Sequence, residues 1–466
     1  MKTKSRLFRT LVPTVLVGLF AAAVFAPAQT PAAGNNAVYT SSTTLAPSTA
    51  YIDASVVPSG TNTDICAKIN AALGLITSSQ PSAVIDARGI TSPNLHCPTG
   101  DSPWVYGSTT YAKAATILLP AGTIVINSQW VMPSGAVLIG EGGGAASTSA
   151  SAGVTTIQAC KSGVTGCSAT FSASAMIAMG SNSTTFCPSN VCTGVSIQNV
   201  WVDGQAIAAL NGIANSFSAE QSTVRHVTLY QISGTGLNIF QPTSGSGTPL
   251  NSGPYEDILC LPGSAAATGT ACARILNVST RGIHGLTCIN TSSTIPTVAV
   301  ALNAPNNTLE DIEVQGFQNG VRIGGTANAE NDLLVNITGG TGVTSVVEIS
   351  SGNTVNNIGL LGIGNGGSAT YTISDSISTP AVNLSDATVA AYFLGEQMTS
   401  GSTPIGFSRF TTSQHVAAWI QGSAAPSAPC PLGSLYSDTS AVQTGHPYGL
   451  YVCTPSGSST TWSGVK

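Results

Sequence analysis

A short phrase recurs along the chain between residues 195 and 364. Each copy opens on a polar residue, alternates apolar and polar positions and mostly ends near a glycine. The copies begin at intervals of about 20–50 residues, and self-similarity of that length is typical of solenoids. Because the phrase is a β pattern rather than a helical one, it predicts stacked β repeats. The copies open at Asn199, His226, Asn277, Asp311, Asp332 and Asn357.

Side chains alternate between the two faces of a strand, so the phrase also predicts which residues face inward. The expected inward pairs are Val200/Val202, Val227/Leu229, Val278/Thr280, Ile312/Val314, Leu333/Val335 and Ile358/Leu360. The first outward column is then Trp201, Thr228, Ser279, Glu313, Leu334 and Gly359. The second is Asp203, Tyr230, Arg281, Gln315, Asn336 and Leu361.

The N-terminus has the features of a secretory signal peptide. A basic stretch from Lys2 to Arg9 precedes a short apolar run and a small-residue cleavage site ending at Ala28. The alternative, an uncleaved anchor, is less favoured because the run is short for a span of about 20 residues. We therefore expect residues 1–28 to be removed. The product is a secreted protein, extracellular or on the cell surface, without a membrane span. Residues 29–59, rich in Ala, Ser, Thr and Pro, predict a flexible lead-in.

The composition restricts the classes of partner. Charged residues make up 7% of the chain, against about 25% in an ordinary soluble domain. The net charge of −5 gives no basic surface for nucleic acid. It also disfavours simple electrostatic capture of a polyanion such as pectate, unless calcium bridges the charges.

The 11 cysteines predict a disulfide framework in a secreted chain. Short loops favour five near-neighbour pairs and leave Cys288 over. The sequence pattern places Cys288 on an inward position level with Ile239 and Ile323, where a buried thiol is inert. The expected pairs are Cys66–Cys97, Cys160–Cys167, Cys187–Cys192, Cys260–Cys272 and Cys430–Cys453.

The segment before the repeats predicts one helix and several short strands. Residues 63–75 have helical spacing behind a cap at Thr63 or Asp64. Strands are expected at 83–87, at 116–126 with a break at Pro120 and Gly122, and at 136–140.

These segments resemble the pectate-lyase superfamily. The resemblance is carried by Thr63-Asp64, Val84-Ile-Asp86-Ala-Arg-Gly89, Leu119-Pro-Ala-Gly-Thr123 and Leu138-Ile-Gly-Glu-Gly142. The chain departs from that family at Ile65-Cys66, where a second Asp and a Thr are common. The resemblance implies an all-β fold, a right-handed parallel β-helix solenoid over residues 60–400, with the short helix as its N-terminal cap. The superfamily includes lyases, hydrolases, epimerases and non-catalytic adhesins, so the activity stays open.

Residues 401–466 change character and predict a small C-terminal β-module. Alternating segments around Cys430, Tyr451 and Trp462 are typical of a β-meander. We favour a cap over the exposed end of the solenoid. The alternative is a binding module, or a trimerising one that would make the protein a homo-oligomer.

The outward columns hold the candidate site residues, together with His226, which opens its phrase beside them. Trp201, Tyr230, Gln315 and His226 are the substrate-binding candidates, because aromatic faces and planar polar groups suit sugars. Asp203 and Glu313 are the candidate catalytic carboxylates of a glycoside hydrolase. Arg281 could instead serve a lyase, with calcium assistance. No metal site is predicted, and calcium is expected only in the case of a lyase.

The signatures of the polygalacturonase-like branch are incomplete. Gly282-Ile-His284-Gly stands where that branch has Gly-His-Gly, Glu310-Asp311 replaces a paired Asp-Asp, and Arg322-Ile-Gly lacks the Lys. Phosphate-loop, Gly-x-Ser-x-Gly and His-Glu-x-x-His motifs are missing. The sequence therefore predicts a protein that binds extracellular polysaccharide and could cleave it, with a non-catalytic adhesive surface protein as the alternative.

Overall fold

The computed structural model describes residues 51–76, 83–142, 153–164, 167, 169–242, 250–327, 329–350, 355–356, 358–365, 371–375, 419–422, 435–438, 450–456 and 459–464. The predicted signal peptide, most of the lead-in, Asn357 and Cys430 lie outside these residues. No helix in the described ranges combines the length and the apolar character that a membrane crossing needs.

The described chain is mostly β. One α-helix, α1, spans Ile65–Leu75, and two 3-10 helices span Pro188–Asn190 and Gly263–Ala265. The first strands are β1 (Tyr51–Asp53), β2 (Ala83–Asp86), β3 (His96–Cys97), β4 (Val105–Tyr106), β5 (Thr109–Thr110), β6 (Ala115–Leu118), β7 (Gly122–Ile126), β8 (Trp130–Met132), β9 (Val137–Ile139), β10 (Thr155–Ala159), β11 (Ala175–Met179), β12 (Ser196–Gln198), β13 (Trp201–Asp203) and β14 (Asn211–Asn215). 

The central strands are longer. They are β15 (Thr223–Tyr230), β16 (Thr235–Phe240), β17 (Tyr255–Leu261), β18 (Ala271–Leu276), β19 (Ile283–Ile289), β20 (Val298–Asn303), β21 (Thr308–Gln315), β22 (Asn319–Gly324), β23 (Ala329–Glu330), β24 (Leu333–Gly339), β25 (Ser345–Ser350), β26 (Val355–Asn356), β27 (Gly359–Asn365) and β28 (Tyr371–Asp375). The last four are β29 (Trp419–Gly422), β30 (Leu435–Asp438), β31 (Leu450–Ser456) and β32 (Ser459–Gly464).

Two long parallel sheets dominate the fold. A 15-stranded sheet follows the order β1-β2-β6-β9-β12-β15-β17-β19-β21-β24-β27, with β3, β7, β10 and β13 beside this path, and a nine-stranded sheet runs from β8 to β28. From β15 to β22, successive strands along the chain alternate between the two sheets, and each pairs with the equivalent strand one repeat later. The short strands β23 and β26 pair with each other in a separate sheet. One apolar cluster continues from Ile52 to Ile363 between them. This arrangement is compatible with a parallel β-helix.

A column of left-handed residues bends the strands of the 15-stranded sheet. Asn199, His226, Asp257, Asp311 and Asn336 all have φ between 51° and 55°. Before β15 the two halves of each repeat are separate strands, such as β12 and β13. From β15 onward they join into one strand through the bend. Asn and Asp tolerate this conformation better than other residues with a side chain, which explains the polar position that opens the phrase.

The helix and the strands predicted between residues 63 and 140 agree with the structure. Asp64 is the helix cap, and its side chain accepts a 2.9 Å hydrogen bond from the Ala67 backbone N–H. The strands at 115–118, 122–126 and 137–139 lie where the sequence predicts them. The lead-in prediction is wrong for its last part, because Tyr51–Asp53 forms β1 and pairs with β2.

The predicted register is wrong in two later repeats. Leu334 is buried and Leu333 exposed, the reverse of the prediction. The bend there is at Asn336, four residues after Asp332, which belongs to a different and buried turn. Asn277 follows β18 of the nine-stranded sheet, so Ser279 and Arg281 lie in a turn rather than in the outward columns. Polar residues open both kinds of turn, and this made the phrases look equivalent.

Three predicted disulfides are present, Cys66–Cys97, Cys160–Cys167 and Cys187–Cys192. Cys453 is also disulfide-bonded, while its predicted partner Cys430 lies outside the described residues. The Cys260–Cys272 prediction is wrong, because both cysteines are free and buried.

The C-terminal strands form a separate four-stranded sheet. The pair β29–β30 is parallel, whereas β30, β31 and β32 pair antiparallel like the predicted meander.

Candidate functional site

The second halves of the bent strands carry two columns of side chains that point away from the core, which we call the outer wall. Its Trp201, Asp203 and Thr228 end is buried, and its other members are partly or fully exposed. Strand pairing places Trp201, Thr228, Leu259, Thr287 and Glu313 in one column. The parallel column holds Asp203, Tyr230, Leu261, Ile289 and Gln315, with Leu261 and Ile289 placed by continuing the register of Cys260 and Cys288. The wall therefore contains every predicted site residue except His226 and Arg281.

Aromatic contact fixes one end of the outer wall. The rings of Trp201 and Tyr230 have centroids 5.3 Å apart and are tilted by 57°. Trp201 is only 1% exposed, so its ring is not an open platform for a sugar, contrary to the prediction. Tyr230 is half-buried, and its hydroxyl accepts a 3.2 Å hydrogen bond from Nε2 of Gln231. Tyr230 is therefore the aromatic residue of the wall that a ligand can reach.

Asp203 is enclosed by amide groups. Its carboxylate accepts hydrogen bonds from the Gln205 backbone N–H at 2.9 Å and from Gln158 Nε2 at 3.2 Å. Burial raises the pKa of Asp203, and these hydrogen bonds oppose that effect. Asp203 thus holds the turn at Gln205, which has a φ of 53°.

The predicted catalytic trio is not assembled. Asp203 and Glu313 lie on strands four pairings apart, so their backbones are about 19 Å apart. Paired glycosidase carboxylates lie about 5–9.5 Å apart. Glu313 is exposed and accepts a 2.8 Å hydrogen bond from Nε2 of Gln315. Arg281 is exposed in the turn before β19, away from both carboxylates' columns.

The first halves of the same strands carry a row of ionisable residues, which we call the charged ladder. Arg225, Glu256, His284 and Glu310 are direct neighbours on consecutive strands. Arg225 Nε lies 2.8 Å from Glu256 Oε2, and His284 Nδ1 lies 2.9 Å from Glu310 Oε2. His284 Nε2 also contacts the carbonyl oxygen of Arg281 at 3.1 Å. His284 thus links the side chain of Glu310 to the backbone of the turn at Arg281.

The bend column separates the charged ladder from the outer wall and adds further polar groups. His226 Nε2 lies 3.0 Å from Asp257 Oδ2, with both side chains mostly exposed. Farther along, Asn336 Nδ2 donates a 2.6 Å hydrogen bond to Asp311 Oδ1. Between these pairs stands Gly285, where a Cβ would lie 2.9 Å from Asp257 Oδ1. We call the charged ladder and the bend column together the corner. The corner gathers carboxylates and imidazoles in a chain that is poor in charged residues.

Sequence reasoning missed Glu256, Asp257 and the ladder role of Glu310. A signal was present, because Glu256-Asp257-Ile and Glu310-Asp311-Ile are the same three residues at the same bend. The first copy falls in the long interval between His226 and Asn277, which hid it.

Within the ranges that the structure describes, no group of three or more His, Cys, Asp or Glu residues could hold a metal ion. The calcium suggested for a lyase therefore has no identified ligand set among those residues.

Three free thiols meet inside the core. Cys260, Cys272 and Cys288 are at most 1% exposed, and each sulfur is within hydrogen-bonding contact of the other two. Cys288 is buried as predicted, but its strand neighbours are Cys260 and Val314 rather than Ile239 and Ile323. Burial raises the pKa of Cys272 and Cys288, which keeps both as unreactive thiols.

Comparison with known proteins gives no family assignment. No protein-family model matches the chain, and no curated protein matches it significantly. A solved structure of ORF18 from Geobacillus virus E2 is similar over 74% of this chain and 62% of its own, with 12% identity and a TM-score of 0.34. The Agl-KA catalytic domain is similar over 70% of this chain and 68% of its own, with 14% identity and a TM-score of 0.24. The chain thus spans less than two thirds of the viral protein, and both TM-scores are too low to indicate function.

Proposed function

We propose that this chain is a secreted protein that binds an extracellular polysaccharide along the outer wall and the adjoining corner. The scaffold is proposed to be a right-handed parallel β-helix of the pectate-lyase superfamily type. The parallel pairing of each strand with its equivalent one repeat later supports the β-helix. The capped helix and the Leu119-Pro-Ala-Gly-Thr123 turn support the superfamily.

Secretion is supported by two features. The first residues have the pattern of a signal peptide. Three disulfides also link described segments, and such bonds persist in oxidising compartments.

The observation that carries the binding proposal is the stacking of polar and aromatic side chains in register. Tyr230, Gln315 and Glu313 lie on one continuous surface, and His226 stands at its edge. Neighbouring strands repeat every 4.8 Å or so, so the surface offers regularly spaced partners along the stack. A linear polymer with repeating hydroxyl groups is complementary to such a surface. Leu261 and Ile289 add apolar area beside Tyr230, which suits the apolar faces of sugar rings.

Binding to a panel of plant and microbial polysaccharides tests the proposal. Tyr230→Ala removes the reachable aromatic face, and we expect about tenfold weaker binding, equivalent to about 1.4 kcal/mol. Tyr51→Ala is the matched control, because Tyr51 is an exposed tyrosine on β1 at the far end of the same sheet. Equal binding by both variants, or no binding to any polysaccharide, would contradict the proposal.

Cleavage at the corner is a second candidate, favoured by one specific arrangement. Glu256 and Glu310 flank His284 on alternate strands, so their backbones are about 10 Å apart. Side chains at that spacing can bring two carboxyl groups to the separation of about 6.5–9.5 Å found in inverting glycosidases. The imidazole between them could alternatively accept a proton in a lyase reaction.

New reducing ends would indicate hydrolysis, and ultraviolet absorbance from unsaturated uronates would indicate a lyase. Either activity should be lost in Glu310→Gln and kept in Glu220→Gln, an exposed glutamate outside the corner. Binding without either product favours the non-catalytic alternative, to which the separation of Asp203 and Glu313 also points.

A further inference from the structure

The nine-stranded sheet has an outward column of its own that the proposed function does not use. Strand pairing places Asn238, Arg274, Ala301, Arg322 and Glu348 next to one another in this order. The two arginines therefore flank the small side chain of Ala301, with backbones about 10 Å apart.

The two arginines differ in how their charge is balanced. Arg322 Nε lies 2.6 Å from Glu348 Oε2, so that guanidinium is neutralised. Arg274 Nε donates a 2.9 Å hydrogen bond to the amide oxygen of Asn238, which is neutral. Among the described residues, Arg274 takes part in no ion pair.

Arg274 is also partly withdrawn from water. Its side chain is half-buried, and desolvation lowers its pKa. Leu276 occupies the next outward position on the strand of Arg274, and Phe240 occupies the equivalent position on the neighbouring strand. A guanidinium that is desolvated and lacks an anionic partner binds an oxyanion more strongly than a fully hydrated one does.

The geometry of its contacts leaves the binding groups of Arg274 available. Asn238 engages Nε and lies on the side away from Ala301. The terminal nitrogens have no hydrogen-bond partner among the described residues, and their N–H groups can donate to two oxygens of one anion. On its other side Arg274 has the small, buried Ala301 as its neighbour, and Arg322 follows Ala301 in the column.

We propose that the terminal nitrogens of Arg274 anchor an oxyanion-binding site, which takes a sulfate ion or the carboxylate of a sugar acid. The site lies on the opposite sheet from the outer wall and does not depend on the polysaccharide proposal. It gives this acidic protein one place where an anionic group is favoured.

Calorimetric titration of the full chain tests this site. The probes are sodium sulfate, an oligogalacturonate and a neutral cello-oligosaccharide at matched ionic strength. We expect saturable binding of an anion by the wild type and at least tenfold weaker binding by Arg274→Gln. Arg274→Lys should be intermediate, because an ammonium keeps the charge without the fork. Arg88→Gln is the control, since Arg88 is already paired with Asp86.

The outcomes separate the two anion sources. Loss of sulfate binding alone supports a free oxyanion as ligand, and loss of oligogalacturonate binding supports a carboxylate carried by a sugar. Binding of both anions by Arg274→Gln as tightly as by the wild type would overturn the proposal. Neutral oligosaccharide should bind Arg274→Gln unchanged and Tyr230→Ala weakly, so failure of one proposal is distinguishable from failure of the other. Circular dichroism of Arg274→Gln and Arg274→Lys confirms that a loss is not due to misfolding.

Discussion

The backbone N–H of Asn307 donates a 2.8 Å hydrogen bond to Oδ1 of Asp332, and each residue is only 2% exposed. Oδ2 of the same carboxylate is buried without a hydrogen-bond partner among the described residues. The side chain of Asn307 in turn bonds to Thr280, whose backbone N–H and hydroxyl both donate to Asn307 Oδ1. Asp332 is therefore the ionisable end of a buried polar column at the turns of consecutive repeats.

This burial predicts a pH-dependent stability. Desolvation raises the pKa of Asp332 from 3.8 to about 7, and the hydrogen bonds from Asn307 only partly oppose it. Because the folded pKa exceeds the unfolded one, the stabilisation is complete below about pH 4 and is lost as the pH rises to about 7. We expect Asp332→Asn to remove up to about 4 kcal/mol of this pH dependence.

Urea unfolding of both proteins from acidic to neutral pH measures the difference. Asp311→Asn is the control, because it makes the same substitution at an exposed position. Identical profiles for the wild type and Asp332→Asn would show that Asp332 is not protonated on folding.

The hydroxyl of Tyr255 joins two buried polar groups. It donates to Ser252 Oγ at 2.8 Å and accepts from Asn215 Nδ2 at 2.8 Å, inside the core. We expect Tyr255→Phe to lower the free energy of unfolding by about 1–3 kcal/mol, because it leaves these groups without a partner. Tyr230→Phe should change it by less than about 0.5 kcal/mol, since Tyr230 is only half-buried on the outer wall. Comparable losses in thermal or denaturant unfolding would argue against the buried network.

Close stacking of the repeats predicts an intolerant glycine. Gly316 has a φ of 74°, and a Cβ there would lie 2.0 Å from the carbonyl oxygen of Asn290. We expect Gly316→Ala to cost about 3–5 kcal/mol, from the strained φ and from the displaced strand. Gly263 has a φ of 54° but open space around it, so Gly263→Ala should lower the free energy of unfolding by only about 1–2 kcal/mol. Equal costs in denaturant unfolding would show that the repeats are not packed this closely.

The thiol cluster predicts a simple labelling pattern. Native protein should resist iodoacetamide at Cys260, Cys272 and Cys288, because the three sulfurs are buried. After unfolding without a reductant, mass spectrometry should find all three alkylated. Labelling of Cys288 alone would mean that Cys260 and Cys272 form a disulfide after all.

Local signals allowed the N-terminal part to be predicted correctly. The cap at Asp64 and the break at Pro120 and Gly122 depend on a few adjacent residues, and the structure has both. The prediction of inward and outward positions failed where two different turns have the same residue types, as at Asp332 and Asn336. Alternation alone does not distinguish a left-handed bend from a buried turn, because both require a polar side chain.

The site was only partly predictable for a related reason. Alternation placed Trp201 outward, but whether an outward ring is covered depends on contacts such as that with Tyr230, which no sequence period encodes. The charged ladder arises from pairing between strands of different repeats, so Arg225, Glu256 and His284 become neighbours only once the register is known.

Hydrogen–deuterium exchange with and without a bound polysaccharide tests the binding surface most directly. Added protection should be concentrated in peptides that cover β13, β15, β17, β19 and β21, whose outward residues form the outer wall and the corner. Tyr230→Ala should lose this protection. Protection confined to the nine-stranded sheet or to the C-terminal strands, or no protection with any polysaccharide of a broad panel, would contradict the proposed function.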